Sequence, residues 1–165
     1  MAGVRRRLAP IAIAAAVVLV VAALGIAATD LGPWYQALAK PWWQPPDWLF
    51  GPAWTLIYGF TAYAGLLAWH EAADNPRARG RIINVFALNV LLNIAWSELF
   101  FVVRRPDWAL VEVGLLWLSI VALIVVVARI SRRAGWFLAP YLAWVSLAGA
   151  LNFEIVRLNP SFAGS

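Results

Sequence analysis

The sequence predicts an all-α integral membrane protein: a five-transmembrane-helix bundle with a long structured loop between the first and second helices. Three observations carry this. Of 165 residues, 64% are hydrophobic and 13% charged, with a mean hydropathy of +0.77, and a soluble domain of this size has too little interior to hide so much apolar surface. Five apolar stretches, 8–28, 52–70, 82–103, 108–128 and 134–157, each approach or exceed the roughly 20 residues a helix needs to cross the hydrocarbon core. Basic residues gather at the ends of these stretches, where they set topology. With no internal repeat, residues 1–165 form a single domain.

The first stretch follows Arg5-Arg6-Arg7, as a signal peptide would, and Gly25-Ile26-Ala27 offers a small-x-small cleavage site. Its apolar core of about 20 residues exceeds the usual 7–15 of a signal sequence, so a retained helix is expected. Ala12 and Ala16 on it permit close helix packing. The connection 29–51 is the only long one. Between Trp34 and Trp54 fall five of the 11 tryptophans and four of the 10 prolines. Prolines 41, 45, 46 and 52 oppose a continuous helix there, since each lacks an N–H and restricts the residue before it. So many aromatic side chains suit a structured segment at a membrane interface or over an apolar pocket.

The second helix opens with Trp54, then Tyr58 and Thr61. The third carries Asn89, Asn93 and Ser97 at i, i+4 and i+8, beside Trp96 and Phe100, a stripe that should not face lipid. The fourth is featureless from Leu118 to Ala128 apart from Ser119, and is expected to have the widest lipid contact. The fifth shows Tyr141, Trp144, Ala148 and Asn152 at helical spacing. Asparagines in such helices most often bond a neighbouring helix, and Trp69, Trp108 and Trp136 near helix ends read as interfacial anchors. Trp54, Trp96 and Trp144 share faces with polar residues and are candidates for an internal cavity.

Arg5–Arg7, Arg77, Arg79, Arg81, Arg129, Arg132 and Arg133 give nine positive charges on one side, against Lys40, Arg104, Arg105 and Arg157 on the other. The positive-inside rule puts the N-terminus in the cytoplasm and the aromatic loop and C-terminus outside. The net charge of +5 is thereby used as a topology signal, not for nucleic acid. Three carboxylates fall within spans. Glu154 can pair with Arg157, Glu98 lies a turn from Arg104 and Arg105, and Glu112 is expected to reach the interface. With no cysteine and His70 the only histidine, there is no metal-ligand cluster. No nucleophile–base pair or phosphate loop appears.

Three motifs in order make the chain resemble the TspO/MBR family of tryptophan-rich sensory proteins and translocator proteins. They are Trp34-Tyr35-x4-Lys40-Pro41-x-Trp43-x-Pro45-Pro46 with Trp54; Asn89-x3-Asn93-x2-Trp96 with Phe100-Phe101; and Pro140-Tyr141-x2-Trp144 with Leu151-Asn152 and Arg157-x-Asn159. The resemblance implies a five-helix membrane fold whose first loop covers a pocket for porphyrins, haem-related tetrapyrroles and synthetic aromatic ligands. It places Tyr35, Trp54, Asn89, Asn93, Trp96, Trp144 and Ala148 around that pocket. It implies no required cofactor, no metal, and a homodimer. Phe153 stands where the animal proteins' sterol-associated pattern has Tyr, so sterol binding does not carry over.

The leading expectation is therefore a membrane receptor or carrier for protoporphyrin IX and similar apolar ligands, linked to tetrapyrrole metabolism and stress regulation. The alternative is an enzyme degrading protoporphyrin IX oxidatively in light, with Trp54 and Trp144 as the candidate catalytic positions. A second alternative is a structural subunit whose aromatic loop docks a partner.

Overall fold

The computed structural model describes residues 29–162 together with Ala16, Val20 and Ala23, which are helical and exposed. The rest of the expected first span, including Ala12 and the Gly25–Ala27 segment, lies outside the described residues. Six α-helices follow: α1 (Pro33–Ala37), α2 (Asp47–Glu71), α3 (Pro76–Ser97), α4 (Pro106–Ile130), α5 (Arg132–Phe137) and α6 (Ala139–Leu158). Among the described residues, 76–102, 106–130 and 132–158 are long and apolar enough to cross a membrane.

The ends of α2 and α6 depart from expectation, each at a proline. The second helix starts at Asp47, so Pro52 lies inside it. A proline this close to a helix N-terminus removes only the bond to the carbonyl of Trp48, and that cost is small beside what the remaining turns gain. The expected fifth span is two helices, α5 and α6, joined through Leu138. Pro140 at the start of α6 has no N–H to return to Trp136.

The last turn of the third span is also unusual. Glu98–Val102 forms a π-turn, with the Val103 N–H bonded to the Glu98 carbonyl at 2.9 Å. The wider turn helps to turn the adjacent Phe100 and Phe101 both inward. Arg104 then takes a left-handed φ of 58°, and the Arg105 N–H closes back on the Leu99 carbonyl at 3.0 Å. A non-glycine residue there costs about 1–2 kcal/mol. Asp30 (3.7 Å) and the Trp34 ring (5.6 Å) hold the Arg104 guanidinium.

Among the described helices α4 is the central one. It packs along α3 and α6 and buries Ala109, Val113, Leu116, Ile120, Leu123 and Val127. This corrects the expectation that the fourth span has the widest lipid contact. Its apolar residues face other helices as readily as lipid, and hydropathy cannot tell the two apart. Ser119 is buried on the same helix.

Helix α2 is different. It packs mainly on α5 at the end remote from the loop, where Ala64 and Ala68 meet Ala134 and Leu138. The Ser131 hydroxyl caps α5 by accepting from the Ala134 N–H and donates to Glu71 at 2.8 Å, tying the two helices. The contacts of α2 with α3, α4 and α6 are lighter. Trp108 and Trp136 are exposed at the helix ends. The Arg79 and Arg105 guanidiniums lie 4.5 Å over the Trp69 and Trp108 rings.

Candidate functional site

The connection 29–46 folds as a lid over one end of the bundle. Short helix α1 begins at Pro33 and drives Tyr35 and Leu38 into a cluster with Phe100, Phe101, Leu151 and Ile155. The Tyr35 hydroxyl accepts from Gln44 Nε2 at 3.1 Å, and Gln44 and Gln36 both donate to the Asp47 carboxylate. Burial, then the nearby Asp47 charge, pushes the Tyr35 phenol up to about 12. At the far edge of the lid, Asn159 Nδ2 donates to the Ala39 carbonyl at 2.9 Å, and the Ala39 N–H donates to Asn159 Oδ1 at 3.0 Å.

Beneath the lid lies a wholly apolar cavity of about 10 Å³, lined by Pro45, Phe50, Trp144, Leu147, Ala148 and Leu151. The Phe50 ring stands edge-on to Trp144 at 5.7 Å. Of the seven predicted site residues, Trp144 and Ala148 line this cavity. Trp54 packs deeper, stacked on Tyr58 at 5.2 Å and edge-on to Tyr141 at 6.1 Å. Tyr35 belongs to the lid cluster instead. Trp96 stacks on Phe100 at 5.5 Å and donates its indole N–H to Asn152 Oδ1 at 3.3 Å.

Asn89 and Asn93 are buried inside the bundle and fully engaged. The Tyr58 hydroxyl donates to Asn93 Oδ1 (3.0 Å), Asn93 Nδ2 to the Tyr141 hydroxyl (3.1 Å), that hydroxyl to Asn89 Oδ1 (3.2 Å), and Asn89 Nδ2 to Ser119 Oγ (2.9 Å). The Ser119 hydroxyl ends the chain on the Leu116 carbonyl at 2.7 Å. Four helices are thus joined by one run of bonds all pointing the same way, which satisfies these polar groups in an apolar interior. The residues on α6 expected to share one face divide by role. Tyr141 and Asn152 turn to the helices, with Asn152 Nδ2 donating to the Pro106 carbonyl, while Trp144 and Ala148 turn to the cavity.

Site-selection by sequence passed over Phe50, Pro45, Leu147 and Leu151. Pro45 and Phe50 lie in or beside a proline-rich run, where nothing separates lining from lid, and Leu147 and Leu151 on α6 look like any lipid-facing leucine. Ser119 had one: it is the lone polar residue in 118–128.

Outside the cavity, Ala53, Leu56, Ile57 and Phe60 of α2 face Pro140, Ala143, Trp144 and Leu147 of α6 across an open groove of about 380 Å³. Trp144 and Leu147 therefore wall both spaces.

The carboxylates do not all behave as expected. Glu154 accepts from Arg157 at 2.6 and 3.0 Å, as its spacing predicted. Arg104 and Arg105 pair with Asp30 and Asp107, and Glu98 is exposed. Glu112 corrects the expectation that it reaches the interface, being 7% exposed. It falls on the inward face of α4, between Ala109 and Leu116.

A multi-pass helical membrane protein with an aromatic lid latched over an apolar cavity is the class these features define. The chain belongs to the TspO/MBR family, whose sequence profile matches residues 12–158. It is 40% identical to the tryptophan-rich protein TspO of Chlorobaculum tepidum, over 84% of this chain and 90% of that one. Similarity extends to the tryptophan-rich protein TspO of Archaeoglobus fulgidus, at 38% over 86% and 94%. The human translocator protein is 34% identical over 79% and 78%.

Proposed function

We propose that this protein is a five-span membrane receptor or carrier that takes flat apolar ligands of the porphyrin class into the space beneath its lid. In this reading residues 8–28 form the first span and α2 the second. The N-terminus is cytoplasmic, the lid lies outside, and two copies pair. The observation that carries the proposal is the placement of Trp144 and Ala148, with Phe50, around one lidded cavity without a polar lining atom. Aromatic faces and a small side chain suit a flat macrocycle. Ligand pockets measure about 300–1,000 Å³, so a cavity of 10 Å³ is the closed state of the site, and binding requires the lid and Trp144 to move. Exposed Trp42 on the lid and Trp48 in the first turn of α2 act as anchors in the membrane interface, rather than as a partner-docking patch.

A light-dependent enzyme is the second reading, favoured by the run Trp54–Tyr58–Tyr141 of oxidisable rings near Trp144. One titration tests both. Protoporphyrin IX is added to purified protein in the dark, followed by tryptophan quenching, and the sample is then illuminated while product spectra are recorded. Ala148→Leu should weaken dark binding about 5- to 150-fold, since overpacking costs roughly 1–3 kcal/mol. Unchanged affinity in that variant removes Ala148 from the site. Porphyrin loss in light that matches protein-free micelles removes the enzyme.

A further inference from the structure

Glu112 is the one side chain among the described residues with two buried polar atoms left unbonded. Both carboxyl oxygens are sealed from solvent and have no hydrogen-bond partner. Gln44, Thr61 and Arg79 each have a single buried atom without a partner. No partner for Glu112 can come from the side chains of 8–28, because that stretch holds only apolar residues, glycine and proline. A carboxyl group stripped of water and given nothing in return is a net cost to folding. The polar side chains of the facing helices, Trp96, Asn152, Asn93 and Tyr141, are already bonded to one another or to backbone.

Helical register fixes where this carboxyl lies. Asn89 on α3 bonds Ser119 on α4, and the two helices run antiparallel. Two turns from that bond, toward the lid, Trp96 and Glu112 come level. Glu112 is seven residues from Ser119, so it shares the α4 face that looks onto α3. On the other side, Val113 packs against Gly149, next to Ala148 of the cavity wall. The free carboxyl is therefore level with Trp96 on the α3-facing side of α4, one residue from Val113, which faces Gly149 behind the cavity wall.

We propose that Glu112 is the polar anchor of this site, and that its ligands carry an N–H donor at the edge of a flat apolar body. This rests on the reading that flat aromatic ligands enter beneath the lid. Either protonation state of a carboxyl accepts from such an N–H. The bond supplies the partner that the folded protein withholds, so it separates ligands with the donor from those without. Sites built around a buried polar group reject analogues that leave it unpaired.

The test uses two probes built on one flat tricycle: carbazole, with one edge N–H, and N-methylcarbazole, in which a methyl group replaces that hydrogen. Dissociation constants are measured by calorimetry in detergent micelles, with protein-free micelles correcting for partition. Wild-type protein should favour carbazole by about tenfold or more, the effect of a hydrogen bond to a carboxyl group. Glu112→Leu should bring the ratio near one while still binding N-methylcarbazole. Glu112→Gln, which keeps a carbonyl acceptor, should retain part of the preference and serves if the leucine variant does not fold. A wild-type ratio near one, a ratio unchanged by Glu112→Leu, or no binding of either probe overturns the proposal. Protoporphyrin IX is titrated in parallel. Carbazole discrimination without porphyrin binding overturns the porphyrin reading alone, and porphyrin binding without discrimination overturns the Glu112 assignment alone.

Discussion

Replacing Asn159 by alanine should loosen the lid without unfolding the bundle. The Asn159 amide makes two bonds to the backbone of Ala39, at 2.9 and 3.0 Å, across 120 residues of chain. Each is worth about 0.5–1.5 kcal/mol, and the site is partly wet, so about 1–2 kcal/mol is lost in all. That raises the open fraction of the lid about 5- to 30-fold. Hydrogen exchange reads this directly, because the Ala39 N–H is itself one of the two donors. Its exchange should accelerate by the same factor, while amides of α4 keep their protection. Asn159→Asp should fall between wild type and alanine. It keeps an acceptor for the Ala39 N–H but sets a carboxylate against the Ala39 carbonyl. Asn159 also bonds the Ile155 carbonyl at 2.7 Å, so the last turn of α6 should fray in both variants. Unchanged exchange at Ala39 in Asn159→Ala would refute the latch, and equal acceleration throughout α4 would show that Asn159 supports the whole fold instead.

Tyr141→Phe should cost roughly 2–4 kcal/mol of thermal stability, because it strands both Asn89 Oδ1 and Asn93 Nδ2 in the interior; a melting temperature equal to wild type would mean that the chain of bonds is dispensable. Gly135→Val should be more damaging than Gly149→Ala. A Cβ at Gly135 would lie 2.7 Å from Ala128 Cβ and 3.2 Å from its Cα, whereas one at Gly149 meets Val113 at 3.6 Å; the order of the two melting temperatures decides this. The lid should also come loose at high pH. The Tyr35 phenol, raised from 10.0 to about 12 by burial, stays protonated when docked and ionises when released. Docking is therefore intact below pH 10, weakens from 10 to 12, and loses this contribution above. The tyrosinate absorbance of wild type minus Tyr35→Phe should show its step near 12, and a step near 10 would contradict the buried placement.

Legibility in the sequence followed the strength of the local signal. The helices were readable because lipid demands long apolar runs, and the stripe of Asn89 and Asn93 pointed inward because asparagine has no place against acyl chains. Helix ends were less readable. Pro52 is a weak stop signal where it stands: near a helix start proline removes one bond, not the helix. The central position of α4 was invisible, since Leu116, Ile120 and Leu123 look identical to lipid-facing residues until their partners are known. The burial of Glu112 was hidden for the opposite reason: a carboxylate near a helix end is ordinarily drawn to the interface, and only the packing of α3 and α6 closes it in. Of the residues that line the cavity, Trp144 and Ala148 stand out in the sequence by their spacing on one helix face, whereas Phe50 depends on how the lid folds back.

The unequal packing of α2 makes it a lever. Its grip on α5 is centred on Ala64 and Ala68, and Phe50 sits some fourteen residues away at the lid end. At 1.5 Å per residue that arm is about 21 Å long. A rotation of about 5° about the gripped end carries Phe50 about 2 Å from Trp144, while the alanine contacts at the pivot hardly shift. Small side chains at the fulcrum and bulky rings at the tip would thus let a slight tilt of α2 part Phe50 from Trp144.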